Sequence, residues 1–341
     1  MSRARAPLPS ASDTVVEPAD VARFRRDLIA LTQEAPRKDR PIGVAVSGGP
    51  DSMALLMLAN RAYPGGVVAA TVDHGLRADS LAEARMVADQ ALALGVPHDI
   101  LGVSEPIAGS SLQARAREAR YALLAGWADR MRAMAVATAH HADDQAETFL
   151  MRAARGSGIS GLAAIRAEVV VSGAAVVRPL LGWRRASLRA IVRRAGVPFV
   201  DDPANSDPRH DRTRFRQLLD RHEWLDPPAL ARTAAAVGEA ERGLADLAML
   251  LWRERASVAE GVVTINAAGL PRDTLRRLSR RAVATVRAAH AITQPGFDDS
   301  ANIEPLLDSL IAGRRATHGE VLAGVRRGQW YFRLAPLRRS L

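Results

Sequence analysis

Six consecutive residues, Ser47-Gly48-Gly49-Pro50-Asp51-Ser52, combine the side chains a phosphate group needs around it. Glycines let backbone N–H groups approach an anion, and the hydroxyls of Ser47 and Ser52 add donors. Pro50 suits the first position of a helix whose positive end would point at the same spot. This is the chemistry of a phosphate cradle built without lysine. A carboxylate at Asp51 beside a phosphate calls for a cation between them, so Asp51 is the candidate ligand of a magnesium ion carried by a nucleotide. The competing explanation is a plain turn in which Ser, Gly, Pro and Asp serve only to start a helix.

A second cluster is Thr138-Ala139-His140-His141-Ala142-Asp143-Asp144-Gln145-Ala146-Glu147-Thr148. On a helix, Asp143 or Asp144 shares a face with Glu147 at i,i+4 or i,i+3 spacing. Such an acidic face either meets a cationic group or merely complements a helix N-terminus. The adjacent His140 and His141 at a strand end point to opposite sides, which argues against a metal pair and for one hydrogen-bonding and one structural imidazole. No zinc site is expected. Arg115, Arg117 and Arg120 lie in one helical stretch, and Arg209-His210-Asp211-Arg212-Thr213-Arg214-Phe215-Arg216 has basic residues on several sides, as contact with an RNA backbone would need.

These residues require a frame, and the surrounding pattern supplies one. Short apolar runs at 42–46, 67–72, 98–103 and 135–139 alternate with helical-period stretches at 52–62, 80–94, 111–132 and 143–155. Strand–helix alternation at this spacing predicts an α/β fold with a parallel sheet covered on both faces, and such sheets bind ligands at the carboxyl ends of their strands. A β-branched run follows at 169–177, then an arginine-dense segment to residue 221. Beyond residue 227 the period is helical through 255 and again at 273–289, with a short strand near 262–265 and a closing β element at 321–334.

Composition removes whole classes of chemistry. There is no cysteine, which excludes disulfides, thiolate metal sites and cysteine nucleophiles, and Lys38 is the only lysine among 47 basic residues, which leaves no Walker-A lysine. The net charge of +10 favours polyanionic partners. No signal-peptide core and no window of ~18 apolar residues is present, so a cytoplasmic protein without a membrane segment is expected.

The Ser-Gly-Gly-x-Asp-Ser loop after the first strand resembles that of the PP-loop ATP pyrophosphatases, which cleave ATP between its α and β phosphates. Further blocks narrow the resemblance: Val72-Asp73-His74-Gly75-Leu76-Arg77, Ala114 to Tyr121, the His140-to-Thr148 block, Arg155-Gly156-Ser157-Gly158, Arg178-Pro179-Leu180-Leu181 and Asp201-Asp202-Pro203-Ala204-Asn205-Ser206-Asp207. In this order they are similar to the tRNA(Ile)-lysidine synthases across residues 40–216. The resemblance implies a PP-loop domain at 39–218, preceded by a tail and helix at 1–38 and followed by a smaller, mainly helical, tRNA-binding region at 219–341. It implies ATP with Mg²⁺ over Ser47, Gly48, Gly49, Pro50, Asp51, Ser52, Asp73 and His74. Asp51, Arg115, His140 and Asp144 are the expected catalytic residues, with Arg115 or Arg120 meeting phosphate. Asp144 and Glu147 are expected to hold the ammonium of an L-lysine co-substrate. Arg178, Arg209, Arg212 and Arg216 are expected to meet a CAU-anticodon isoleucine tRNA, and a homodimer is an expectation of the family. The chain departs from the family pattern at Thr213, where asparagine is usual, and at Ala204, where serine is.

Rival activities stay within reach of the same loop. Sulfur-transferring relatives need cysteine thiolates or clusters, which this chain cannot supply. An ammonia-dependent NAD-synthetase-like ligase remains compatible, as does a non-catalytic arginine-rich RNA-binding protein.

Overall fold

In a computed structural model of the chain, residues 16–73, 80–103, 112–200, 211–298 and 301–336 are described. The chain divides into two compact units, Met1–Gly238 and Glu239–Leu341.

The first unit is built on α1 (Pro18–Thr32), β1 (Ile42–Ala45), α2 (Pro50–Ala62), β2 (Val67–Asp73), α3 (Ser80–Ala93), β3 (His98–Gly102), α4 (Leu112–Arg130) and β4 (Val136–Ala137). It continues through α5 (Ala142–Ala154), α6 (Ile159–Leu162), the hairpin β5 (Glu168–Val171) and β6 (Ala174–Val177), α7 (Arg185–Arg194), α8 (Asp211–Arg221) and the start of α9 (Pro227–Arg255). Its sheet has the order β3-β2-β1-β4-β6-β5, parallel except for β5, which pairs antiparallel to β6. The strands and helices expected from the sequence all occur, with ends shifted by a few residues.

Alternation along the strands divides the core into two layers. Ile42 and Val44 of β1, with Val67 and Ala69 of β2, face α1, α2 and α7; Val68, Ala70 and Val136 face α4 through Tyr121, Leu124 and Trp127. Helix α2 is apolar nearly all round because it is covered on all sides: Met53, Leu55, Leu56 and Leu58 have no exposed surface. Gly43 is required by a close approach, since a Cβ there would lie 2.7 Å from Trp127 Cζ3. Trp127 Nε1 in turn donates to Asp99 Oδ2 at 2.8 Å, which satisfies its one polar atom.

Helix α1 is not an appendage to this core. Phe24 and Leu28 are fully buried in it, and Asp27 accepts from Trp183 Nε1 at 3.0 Å while the Arg23 guanidinium lies 4.3 Å from the centre of the Trp183 ring. The expected separate segment at 1–38 therefore gives way, from residue 16 on, to a helix of the first unit.

The second unit also differs from the expectation. The division falls within α9 at residues 238 and 239 rather than at 218, and the region joins a sheet to its expected helices. A five-stranded antiparallel sheet, β7-β8-β11-β10-β9, is formed by β7 (Ala256–Ala259), β8 (Val262–Ile265), β9 (Ala316–His318), β10 (Val321–Arg326) and β11 (Gln329–Leu334). Helices α10 (Arg272–Ala289) and α11 (Glu304–Ile311) pack on it through Leu278, Val283, Leu307 and Leu310 against Val263, Phe332 and Val321. Three of these strands lie where the sequence placed β structure, β8 at 262–265 and β10 and β11 within 321–334; β7 and β9 are too short and too weakly apolar to stand out from helix ends and turns.

Candidate active site

The sheet order reverses direction beside β1: the chain leaves β1 for β2 on one side, and β4 pairs on the other. The loops leaving the carboxyl ends of β1 and β4 therefore diverge and open a crevice between them. A cavity of about 550 Å³ lies there, lined from the loop by Ser47, Gly49, Pro50, Asp51 and Ser52 and from the other side by Thr138, His140, His141 and Asp144.

The loop is held in shape by its own residues. Gly48 has φ of +80°, a backbone conformation that strains other residues, and Gly49 caps α2 with Pro50 following it. Ser47 N–H donates to Ser52 Oγ at 3.1 Å, and Ser52 Oγ donates to Gly49 O at 2.9 Å. Val200 N–H ties the loop to a distant segment through Gly48 O at 2.9 Å. Asp51 Oδ1 is buried without a hydrogen-bond partner among the described residues, which suits an oxygen that binds a cation.

Opposite the loop, His141 starts α5. Its Nδ1 accepts the Asp144 N–H at 3.3 Å while Asp144 Oδ2 accepts the His141 N–H at 3.0 Å, a reciprocal cap. Accepting at Nδ1 places the ring proton on Nε2, which lies 3.5 Å from Asp51 Oδ2 and 3.5 Å from Asp144 Oδ2. His141 thus joins the phosphate loop to the acidic helix. Burial lowers its proton affinity, but the hydrogen bond to Asp51 and the charges of Asp144, Asp51 and Asp143 outweigh burial and raise its pKa. For Asp144, burial is likewise outweighed, by His141 and Arg212, and the carboxyl stays below its ordinary range.

His140, the expected catalytic histidine, is a cavity-lining imidazole whose Nδ1 is 3.0 Å from Thr138 Oγ1. Burial drives its pKa down to about 4. It is neutral at pH 7 and a weak base, which suits a positioned hydrogen-bonding group better than a proton acceptor.

Asp144 and Glu147 do share a face, and α8 covers it. Glu147, 1% exposed, accepts Arg212 Nε at Oε2 and Arg216 Nε at Oε1, both at 2.7 Å, while Arg212 Nη2 reaches Asp144 Oδ1 at 2.5 Å. Arg212 and Arg216 therefore line the cavity as partners of the acidic pair. Asp143 points elsewhere and accepts the Arg185 N–H at the start of α7 at 2.8 Å. Gln145 is structural: its amide exchanges two 2.8 Å hydrogen bonds with the backbone of Ile165.

The remaining expected residues separate. Arg120 lines the cavity, whereas Arg115 is exposed on α4 and does not. Asp73 ends β2, one residue beyond the lining Val72. Arg178 is 4% exposed with Nη1 donating to Arg166 O at 2.6 Å, so burial withdraws it from the RNA contact expected of it. Thr213 is buried. His74 and Arg209 lie outside the described residues. Sequence reasoning missed Arg185 and Arg189, which line the cavity from α7, and the linking role of His141. Neither arginine has a motif to mark it, while a His-x-x-Asp start to a helix was a readable capping pattern.

A phosphate-cradling loop at the switch point of a parallel sheet defines a PP-loop protein, and the family model for the PP-loop domain matches residues 21–223. A U34-tRNA thiolase from Methanococcus maripaludis has a similar fold, with a TM-score of 0.52 over 65% of this chain and 78% of its own at 14% identity. Closer in sequence are the tRNA(Ile)-lysidine synthase of Zymomonas mobilis, 41% identical over 88% of this chain and 90% of its own, and that of Novosphingobium aromaticivorans, 42% identical over 94% and 95%. The chain belongs to the tRNA(Ile)-lysidine synthase family.

Proposed function

We propose that the protein ligates free L-lysine to C2 of the wobble cytidine of the CAU-anticodon isoleucine tRNA, with ATP converted to AMP and diphosphate, so that the tRNA reads AUA codons. The observation that carries this reading is one cavity lined by both the glycine loop and the acid–arginine cluster of α5 and α8. In the first step the cytidine O2 attacks the α-phosphorus; a P–O bond forms and the bond to diphosphate breaks. In the second, the ε-amine of lysine, having lost its proton, attacks C2; a C–N bond forms and AMP leaves with the oxygen.

The residues meet the demands of these steps in turn. The N–H groups at the start of α2, with the Ser47 hydroxyl, receive phosphate oxygens already aligned, so little reorganisation is needed as charge develops. Asp51 would hold the magnesium ion, which supplies charge neutralisation along the triphosphate. Arg120, Arg185 and Arg189 add cationic groups around the same cavity. Asp144 and Glu147 supply negative charge for a lysine ammonium, and that ammonium gains them by exchange with Arg212, whose side chain is 45% exposed. An arginine that leaves this pair becomes available to phosphate.

The test is AMP release by the purified protein with ATP-Mg, lysine and unmodified CAU-anticodon isoleucine tRNA. Release is expected only when all are present. Release independent of lysine, or equal with any tRNA, would overturn the assignment. Asp51→Asn is expected to abolish diphosphate release while tRNA binding stays nearly intact.

A further inference from the structure

Free lysine carries charge at both ends, and the acid pair of α5 can hold only one of them. With the ε-ammonium, the end that reacts, at Asp144 and Glu147, the α-carboxylate lies a full side-chain length away in the same cavity and needs a cation of its own. Five arginines line that cavity. Arg212 and Arg216 are committed to Glu147, and the Arg120 guanidinium lies 5.3 Å from the centre of the Tyr121 ring. Arg185 differs: among the described residues its guanidinium has neither an ion pair nor a hydrogen bond.

Backbone contacts fix where Arg185 stands. Ala142 N–H donates to Trp183 O at 2.8 Å, and Asp143 Oδ2 accepts the Arg185 N–H at 2.8 Å, so the first turns of α5 and α7 are bonded to each other in both directions. Trp183 is fully buried and held by Asp27, while Leu188, Ile191 and Val192 seat α7 in the core. Arg185 therefore stands beside the helix start that carries Asp144. Asp143 does not neutralise it. One oxygen of that carboxylate caps the backbone of α7 and the other lies 3.4 Å from Arg184 Nη2, which leaves the Arg185 guanidinium as a cation still to be matched.

We propose that Arg185 binds the α-carboxylate of the lysine whose ε-ammonium meets Asp144 and Glu147, and so selects the free amino acid over amines that lack this group. The planar fork of a guanidinium matches the two oxygens of a carboxylate. Phosphate is already provided for at the glycine loop, by the N–H groups that start α2 and by the Ser47 hydroxyl. Two poles of opposite charge in one cavity read the length of the amino acid as well as its ends. The assignment rests on the reading that lysine is the co-substrate and adds to it the residue that recognises the unreactive end.

AMP release with L-lysine and with L-lysinamide, which keeps both amines and lacks the carboxylate charge, tests this. The wild-type protein should show a KM for lysinamide roughly 10–100-fold above that for lysine, the loss expected for one charge-assisted pair. Arg185→Gln keeps the backbone N–H that Asp143 accepts, so α7 stays capped. It should raise the KM for lysine by a similar factor, with the KM for lysinamide at its wild-type value and the loss appearing in KM rather than in kcat. Arg185→Lys, which retains the charge, should recover part of the preference for lysine. Equal use of lysine and lysinamide by the wild-type protein would overturn the proposal whatever the variants do. So would an Arg185→Gln protein in which both KM values rise alike, or in which the KM for ATP rises instead, the mark of a phosphate contact. Failure of the lysidine reading looks different: the wild-type protein would release no AMP in response to either amine.

Discussion

Removing the Glu147 charge tests the cluster on which the active-site geometry depends. The carboxylate is 1% exposed and accepts from two guanidinium groups at 2.7 Å, so Glu147→Gln keeps the shape but turns one acceptor into an amide N–H facing another N–H donor. A charge-assisted hydrogen bond contributes about 1.5–3 kcal/mol, and leaving a charge buried without its partner costs about 3–5 kcal/mol. Arg216 is 19% and Arg212 45% exposed, so water recovers part of that penalty. The expected loss is therefore about 2–3 kcal/mol, confined to the first unit. Urea unfolding followed by a probe in that unit should show a lower midpoint with an unchanged slope. The double variant Glu147→Gln/Arg216→Gln should be less destabilised than the sum of the two single changes, by about 1 kcal/mol or more, because the orphaned cation is removed with its partner. A single-variant loss below about 0.5 kcal/mol, or strict additivity in the double, would refute a Glu147 clamped by two arginines. In the same variant lysine-dependent AMP release should fall, since Arg212 and Arg216 no longer have a fixed position at the cavity wall.

Further outcomes follow from other sites. His140, with its pKa lowered from 6.5 to about 4, stays neutral in the folded state while the unfolded chain takes up a proton, so its contribution is fully present above pH 6.5 and is lost as pH falls toward 4. Folding stability of His140→Gln should lack this drop, worth at most about 3 kcal/mol, across that window. Glu304 is held at about 2, from 4.5, chiefly by its hydrogen bond to Arg276 and then that to Arg272. Acid unfolding of the second unit should therefore begin below pH 4.5 and continue toward 2, and Glu304→Gln should flatten that limb; an unchanged limb would mean the pairs with Arg276 and Arg272 add nothing to stability. Gly43→Ala puts a methyl 2.7 Å from the fully buried Trp127 and should destabilise the first unit by about 1–3 kcal/mol in thermal unfolding, whereas a neutral result would show that α4 can shift to make room.

Much of the first unit was legible because its signals are local. A strand of two to seven residues, then a helix, recurs with little interruption through residue 155, and the β1 loop announces its purpose through glycine, proline and serine within six positions. The second unit was harder to read. Its sheet is assembled from β7, β8, β9, β10 and β11, separated by helices α10 and α11, and strands of three or four residues carry too few alternations to declare a face. Nor did anything along the chain show that α1 belongs to the first core. Phe24 and Leu28 mark an apolar face, but the core they join combines α2 with Trp183, which contacts Arg23 and Asp27 from about 160 residues away.

The site divides in the same way. Sequence alone determined the phosphate loop, since capping, a positive φ at Gly48 and a helix start depend only on neighbouring residues, and it determined that Asp144 and Glu147 share a helix face. It also determined what the protein cannot use, cysteine and a phosphate-binding lysine. Only the tertiary structure decided partners. Arg212 and Arg216 read as free cations in a basic run, yet they close on Glu147 across 65 and 69 residues; Arg178 read as another, yet the fold buries it. Charge has no periodicity that reveals its counter-charge, because a guanidinium pairs with whichever carboxylate the folded backbone brings within about 3 Å, and that distance is set by packing far from either residue.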